Sequence, residues 1–264
     1  MLYKTIKNLL IAEINKILPE DSQNKLISAM RYVLFAPAKY IRSFLIIASS
    51  RVFDVEVEKI ISIAVAVECI HNYSLIHDDL PCMDNSDTRR NQLSCHKKFD
   101  EATAVLAGNA LLTLAFEIIS SLDENSDKRC EIIKVLSQAI GIKGMVGGQA
   151  LDIDKDFGKV KKVHLMKTAK LLAVSCEIGA IVGGATDKQR RVLYNYGINL
   201  GLIFQAKDDI EDYKQDKANN LMSLLDKRKV EDYIDHLFKQ ALNKLSKLSG
   251  DTNYLYDLLN QVKK

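Results

Sequence analysis

The sequence predicts an all-α protein, and three observations lead there. Apolar residues recur at helical spacing along nearly the whole chain. The 264 residues include only 12 glycines and three prolines (Pro19, Pro37 and Pro81), fewer turn formers than a sandwich, barrel or α/β fold requires. No segment shows the alternating Val/Thr/Tyr pattern of a half-buried strand. Taken in order, helices are expected near 2–17, 23–35, 39–53, 56–79, 100–122, 127–154, 160–184, 187–213, 228–248 and 252–262. Ser22, Ser126, Asp187 and Thr252 are placed to cap the second, sixth, eighth and last of these. Pro81 limits the helix that carries Asp78 and Asp79, and Gly250 stands where a helix C-terminal glycine would. Loops are expected over 80–99 and 214–222. With no repeat, low-complexity tract or linker, residues 1–264 read as a single all-α domain.

Composition narrows the function. A hydrophobic share of 47% excludes a disordered chain, and a net charge of +3 is too balanced for a nucleic-acid binder. The five cysteines are odd in number and form no C-x-x-C pair, which reads as reduced thiols in a cytoplasmic protein. The N-terminus lacks a signal-peptide pattern. No uninterrupted apolar run approaches the roughly 20 residues of a membrane span, so no stable membrane anchor is expected.

Two acidic clusters depart from ordinary helix patterning. The second, Gln205-Ala206-Lys207-Asp208-Asp209-Ile210-Glu211-Asp212, is the cleaner case. Positions 198, 201, 202, 205, 208, 209 and 212 share one helical stripe, so a face that begins apolar ends in three aspartates. Carboxylates turned inward are costly unless a cation meets them. Asp208 and Asp212, one turn apart, can share a metal. The first cluster, His77-Asp78-Asp79-Leu80-Pro81-Cys82-Met83-Asp84, repeats the logic, because the turn after Pro81 can bring Asp84 back. Hard oxygen donors, few per site, suit Mg²⁺ that also holds substrate phosphates. The cations Arg89 and Arg90, Lys39 and Arg42, and Lys167 beside Thr168 complete the parts of a diphosphate clamp.

Glu68-Cys69-Ile70-His71-Asn72-Tyr73-Ser74-Leu75-Ile76-His77-Asp78-Asp79-Leu80-Pro81, with Met83-Asp84 and Arg89-Arg90, resembles the first aspartate-rich motif of trans-polyprenyl diphosphate synthases. It is most similar to the bacterial farnesyl diphosphate (geranyltranstransferase) synthases, which have four residues between the second and third Asp. Cys95-His96-Lys97, Phe99 to Ala104, Leu106-Ala107-Gly108, Gly147-Gly148-Gln149 with Asp152, Lys167-Thr168 and Phe204-Gln205 extend the resemblance over residues 25–245.

The resemblance implies an isoprenoid-synthase helical bundle with a central cavity, usually a homodimer, with three Mg²⁺ per site. It implies Mg²⁺ on Asp78, Asp84 and Asp208, helped by Asp79, Asp209 and Asp212. Lys39, Arg42, His71 and Arg90 would bind isopentenyl diphosphate. Arg89, Lys167, Thr168, Gln205 and Lys217 would bind the allylic diphosphate. Tyr73, with Ser74 beside it, would set chain length, a bulky aromatic there stopping growth near C15. The implied reaction condenses isopentenyl diphosphate with dimethylallyl or geranyl diphosphate to farnesyl diphosphate, Asp78, Asp79, Asp208 and Lys167 carrying the ionisation.

The pattern is broken in four places. The family's Gly-Gly-Lys-Arg-x-Arg-Pro reads Pro37-Ala38-Lys39-Tyr40-Ile41-Arg42-Ser43. Its Arg-Arg-Gly reads Arg89-Arg90-Asn91, and its Gly-Asp reads Gly108-Asn109. The loop after Asp212 is short, with Lys217 its candidate for the later lysine. The alternatives are a geranyl or geranylgeranyl diphosphate synthase, or a non-catalytic homologue serving as a subunit. A terpene cyclase is disfavoured because the second cluster is Asp-Asp-x-x-Asp.

Overall fold

The computed structural model describes residues 2–154, 157–213 and 220–263, apart from the side chains of Leu2, Tyr3, Phe157 and Asp212. Helices are α1 (Leu2–Ile17), α2 (Lys25–Leu34), α3 (Ile41–Arg51), α4 (Ile61–Asp78), α5 (Cys95–Lys98), α6 (Glu101–Ser120), α7 (Ser126–Ile140), α8 (Met145–Ile153), α9 (Val160–Val163), α10 (Lys170–Val182), α11 (Asp187–Asp212), α12 (Lys227–Leu245) and α13 (Asn253–Lys263). A π-helical segment, His164–Ala169, joins α9 to α10. The only sheet among the described residues is a two-stranded hairpin, β1 (Thr88–Arg89) and β2 (Gln92–Leu93), inside the expected loop. Contacts gather the chain into two units, Met1–Phe44 with Val57–Arg129 and Leu45–Glu56 with Cys130–Lys264.

In the first unit, α4 is apolar on nearly every side from Ile61 to Ile70, with Ser62 and Glu68 the polar exceptions. It packs on α1, α2 and α6. α6 presents Ala104, Ala107, Gly108, Leu111 and Ala115 as its buried stripe, small residues that allow close approach. Asp100 caps α6 through the Thr103 amide at 2.7 Å. Outside that stripe α6 is unusually apolar. It alone among the described helices is long and apolar enough to cross a membrane, and 44% of its most apolar 18-residue stretch is buried.

In the second unit, α10 is the fully enclosed helix. α11 lies against it through Gly197 and Gly201. A Cβ on either would come within 2.5 Å of the Ala173 or Ala169 Cα, so the two backbones nearly touch. The amphipathic α12 covers α11. The Tyr196 hydroxyl ties α11 to α13 at the Leu255 carbonyl, 2.7 Å.

Several expectations move by a few residues. Asn24, not Ser22, caps α2, accepting from the Leu26 and Ile27 amides. Thr186 caps α11 in a reciprocal box with Gln189, which leaves Asp187 inside the first turn. The helix expected over 127–154 is two helices. A Cβ on Gly144 would lie 1.8 Å from the Ala139 carbonyl oxygen, so the chain turns sharply there. Gly250 does not end a helix, since α12 stops at Leu245; it makes room for the Val52 carbonyl.

Candidate active site

Residues Tyr73 to Asp79 finish α4, and Pro81 prevents its continuation. The chain then folds back. The Asp84 amide donates to the Asp78 carbonyl at 2.9 Å and the Ser86 amide to the Asp79 carbonyl at 3.2 Å, so Asp84 returns to the helix end. Asp78 is half-buried and Asp84 exposed. Asp79 is only 2% exposed and already engaged: Arg89 Nε (2.9 Å) and Nη2 (2.5 Å) both reach its Oδ1. Burial nonetheless raises the Asp79 carboxyl above its ordinary 3.8, with the Arg89 bond opposing. Burial also works against the Arg89 charge, but Asp79, Asp78 and Asp84 outweigh it and hold the guanidinium more firmly protonated.

Arg90 and Asn91 form the two-residue loop of the hairpin, both with positive φ (54° and 63°), as a right-twisted two-residue turn demands. That turn sends consecutive arginines to different partners. Arg90 reaches Asn72 Oδ1 (3.2 Å) and His71 Nε2 (3.3 Å). Arg42 belongs to the same cationic group, its charge felt at His71 and opposed by Glu68. Burial, then Arg42, Arg90 and Arg89, hold His71 well below its usual 6.5. Burial lowers Arg42 to about 10, and its Nε has no partner among the described residues. Glu68, 2% exposed, accepts from the Ser43 amide (3.3 Å) and hydroxyl (2.8 Å). Tyr40, at φ 45°, is buried with its hydroxyl 3.3 Å from the Leu34 carbonyl, and supplies no cation. Lys39 is exposed just before α3.

Tyr73 lies one turn before His77, its ring edge-on at 5.8 Å. It is 6% exposed, and burial, then Asp78, push its phenol up to about 12. A Cβ on Gly108 would sit 2.1 Å from His77 Nε2, so that glycine admits the imidazole. Ser74 is spent locally on the His71 carbonyl, 2.8 Å.

The second unit gathers another set. Lys167 and Thr168 sit in the π-helical segment, where the backbone hydrogen bonds skip one residue further than in an α-helix. Lys167 Nζ pairs with Asp152 Oδ2 at 2.6 Å, and Thr168 donates to Gln205 Oε1 at 2.8 Å. Met145, Gly148, Gln149 and Asp152 form one stripe of α8. Gly148 lies so close to the Lys167 backbone that a Cβ would be 2.3 Å from its nitrogen. Gln149, between Gly148 and Asp152 on that stripe, has both amide atoms buried and no partner for either among the described residues. Asp208 is half-buried. Asp209 is 5% exposed, with Oδ2 accepting from the Leu221 amide (2.8 Å) and lying 3.4 Å from His164 Nε2. The Asp212 side chain and Lys217 lie outside the described residues.

Among the described residues no three His, Cys, Asp or Glu side chains converge into a preformed metal cage. This donor set still fits Mg²⁺, which keeps several waters and takes only one or two carboxylates alongside substrate phosphates. Asp84 is returned to Asp78 by the backbone bond at the helix end, which puts two aspartates in one neighbourhood. The resemblance counts all six aspartates toward the metal, and the structure gives two of them other partners. Asp79 and Asp209 are each consumed by neighbours. Residues with structural parts to play here that sequence reasoning left without a role are Glu68, Asn72 and His164. Glu68 had a signal, an acid interrupting an apolar run; Asn72 and His164 had none.

Comparisons with known proteins place the chain in a family. The polyprenyl synthetase family profile matches residues 23–253. The chain is 40% identical to the farnesyl diphosphate synthase of Escherichia coli (strain K12), over 93% of this chain and 91% of that one. It is 36% identical to that of Bacillus subtilis (strain 168), over 98% and 94%. Its fold matches the crystal structure of an FPP/GFPP synthase from Zymomonas mobilis with a TM-score of 0.93 and 35% identity, covering 100% of this chain and 98% of the other. A buried carboxylate–guanidinium pair at the end of an enclosed helix, hairpin arginines beside it and a lysine in a π-helical segment thus occur here in a chain that belongs to the polyprenyl synthetase family.

Proposed function

We propose that this protein condenses isopentenyl diphosphate with dimethylallyl or geranyl diphosphate to give farnesyl diphosphate. The observation that carries the reading is the first cluster. There the Asp84 amide returns to the Asp78 carbonyl while Arg89 and Arg90, consecutive in one tight hairpin, diverge, Arg89 to Asp79 and Arg90 to His71. That geometry suits a metal-held diphosphate on one side and a second diphosphate on the other.

Asp78 and Asp84 in the first cluster and Asp208 in the second are the carboxylates we assign to Mg²⁺, with Asp212 assisting. Those residues would hold the metal, which would supply neutralisation of charge on the departing diphosphate. Arg89, Lys167, Thr168, Gln205 and Lys217 are assigned to the allylic diphosphate. Lys39, Arg42, His71 and Arg90 are assigned to isopentenyl diphosphate. Because Arg89 and Lys167 are paired with Asp79 and Asp152, an incoming diphosphate exchanges one anion for another rather than meeting bare cations.

The allylic C1–O bond then breaks to a carbocation and diphosphate. The isopentenyl double bond attacks C1 through C4. A proton from C2 of the isopentenyl unit passes to the diphosphate, which restores neutrality at carbon. The cationic side chains favour the charge that grows on the leaving group, and apolar walls keep water from trapping the cation. Tyr73, buried one turn below His77, is the proposed floor for the growing chain.

A second copy of this chain is the proposed partner. The support is α6, whose Val105 and Leu106 are 40% and 56% exposed on an otherwise apolar helix. Five unpaired cysteines support a reducing, cytoplasmic setting.

A condensation assay with labelled isopentenyl diphosphate, each allylic substrate and Mg²⁺ tests the function. A C15 product is expected, and Asp78→Ala should reduce turnover about 10³-fold or more. Substrate-independent inertness of the wild type would overturn the reading. Tyr73→Ala should shift product toward longer chains, and an unchanged chain length would remove Tyr73 as the floor.

A further inference from the structure

Asp208 and Asp209 are neighbours in sequence and of one residue type, yet they sit in opposite surroundings. Three segments of the second unit meet at Asp209. Its Oδ2 accepts the Leu221 amide at 2.8 Å and lies 3.4 Å from His164 Nε2. Its carbonyl accepts Asn220 Nδ2 at 2.9 Å, and Asn220 in turn caps the following turn at the Met222 amide, 2.8 Å. His164 opens the π-helical segment that carries Lys167 and Thr168, and it is 4% exposed. One turn back along α11, Gln205 holds Thr168. Gly201 brings the α11 backbone against Ala169 at the end of the same segment.

We infer that Asp209 is a positioning residue rather than a metal ligand. It fixes the end of α11 to both the start of the π-helical segment and the returning chain at 220–223. Given the function proposed above, on which this inference rests, it thereby sets where Asp208 stands relative to Lys167 and Thr168. The physical basis is that a carboxylate 95% buried and bound by a backbone amide loses those bonds if it turns toward a solvated cation.

The test compares wild type, Asp209→Asn, His164→Gln, the double variant and Asp208→Ala. Amide hydrogen exchange is followed at 164–169 and 220–223 without metal or substrate, alongside steady-state kinetics and the Mg²⁺ dependence of inorganic pyrophosphate binding. If Asp209 positions, Asp209→Asn speeds exchange at 220–223 about tenfold or more in metal-free protein. Both single variants raise the allylic KM about tenfold or more. The double variant costs less than the product of the two, because they break one junction. Asp208→Ala moves the Mg²⁺ midpoint furthest.

The inference is overturned if Asp209→Asn changes exchange only when Mg²⁺ is present, if the singles multiply independently, or if excess Mg²⁺ restores Asp209→Asn fully. Should Asp209→Asn fail to fold, His164→Gln carries the same exchange measurement, and an unchanged pattern there is equally fatal. A wild type without condensation activity would sink the proposed function, while the metal-free exchange data would still decide the junction.

Discussion

In the first cluster the buried second aspartate is met by a guanidinium; in the second cluster it is met by a backbone amide and an imidazole. Asp79 and Arg89 form a charged pair whose cation is 38% exposed and assigned to substrate. On the assignment proposed above, a diphosphate that recruits Arg89 loosens the pair, and the first cluster is expected to rearrange during a cycle. Asp209 is closed by the Leu221 amide and by His164, neither of which is assigned to substrate. That junction can persist through the cycle. On the proposed assignments, two motifs that look like copies in the chain serve different mechanical ends, one exchangeable and one fixed.

The comparison breaks most visibly if each anchor is removed in turn. Arg89→Ala leaves a buried carboxylate without its cation, and should cost about 1–2 kcal/mol of stability after allowance for the exposure of Arg89. It should also raise the allylic KM about a hundredfold. His164→Ala should cost less stability, about 1 kcal/mol, because the amide bond to Asp209 remains. Chemical denaturation of both variants, with kinetics on the allylic substrate, measures the ratio. Equal losses would mean the two anchors are equivalent.

Acid sharpens the contrast between the units. The His71 imidazole has a depressed folded-state pKa, so it is neutral in the folded protein where an unfolded chain would protonate it near 6.5. Its contribution is present above that pH and lost as pH falls below it, with stability dropping by at most about 1.4 kcal/mol per pH unit from this group. Denaturation midpoints from pH 7.5 to 5 should fall, and His71→Gln should flatten the decline. An equally steep curve in the variant would place the acid sensitivity elsewhere.

The smallest effect is expected beneath Lys167. The Gln149 amide is buried without a protein partner among the described residues, a costly state. Gln149→Met, similar in shape and apolar, should raise the melting temperature by about 2–4 °C. A fall would mean an ordered water satisfies the amide.

Much of this was legible in the chain. Period located the helices to within a few residues, because burial of an apolar stripe is written directly in residue spacing, whereas the caps Ser22, Ser126 and Asp187 gave way to Asn24, Asn125 and Thr186. The hairpin was hidden because its four strand residues are too few to show alternation, and its turn uses Arg90-Asn91 where glycine is the stronger signal. The break at Gly144 was hidden because the apolar spacing runs on through it. The distinction between Asp208 and Asp209 was hidden for another reason. Both lie on the stripe of 205, 208 and 212, and what buries one is the return of residues 220–223, a contact across the fold with no trace in local pattern.

The π-helical turn at His164–Ala169 also constrains how this chain can change length. Such a turn is an α-helix with one extra residue. Deleting any single residue within it would restore ordinary winding and swing His164 about 100° around the axis relative to Lys170, away from Asp209. Drift by substitution is open to this segment in many places, whereas drift by deletion is closed, so its residue count should vary less among descendants than its letters do.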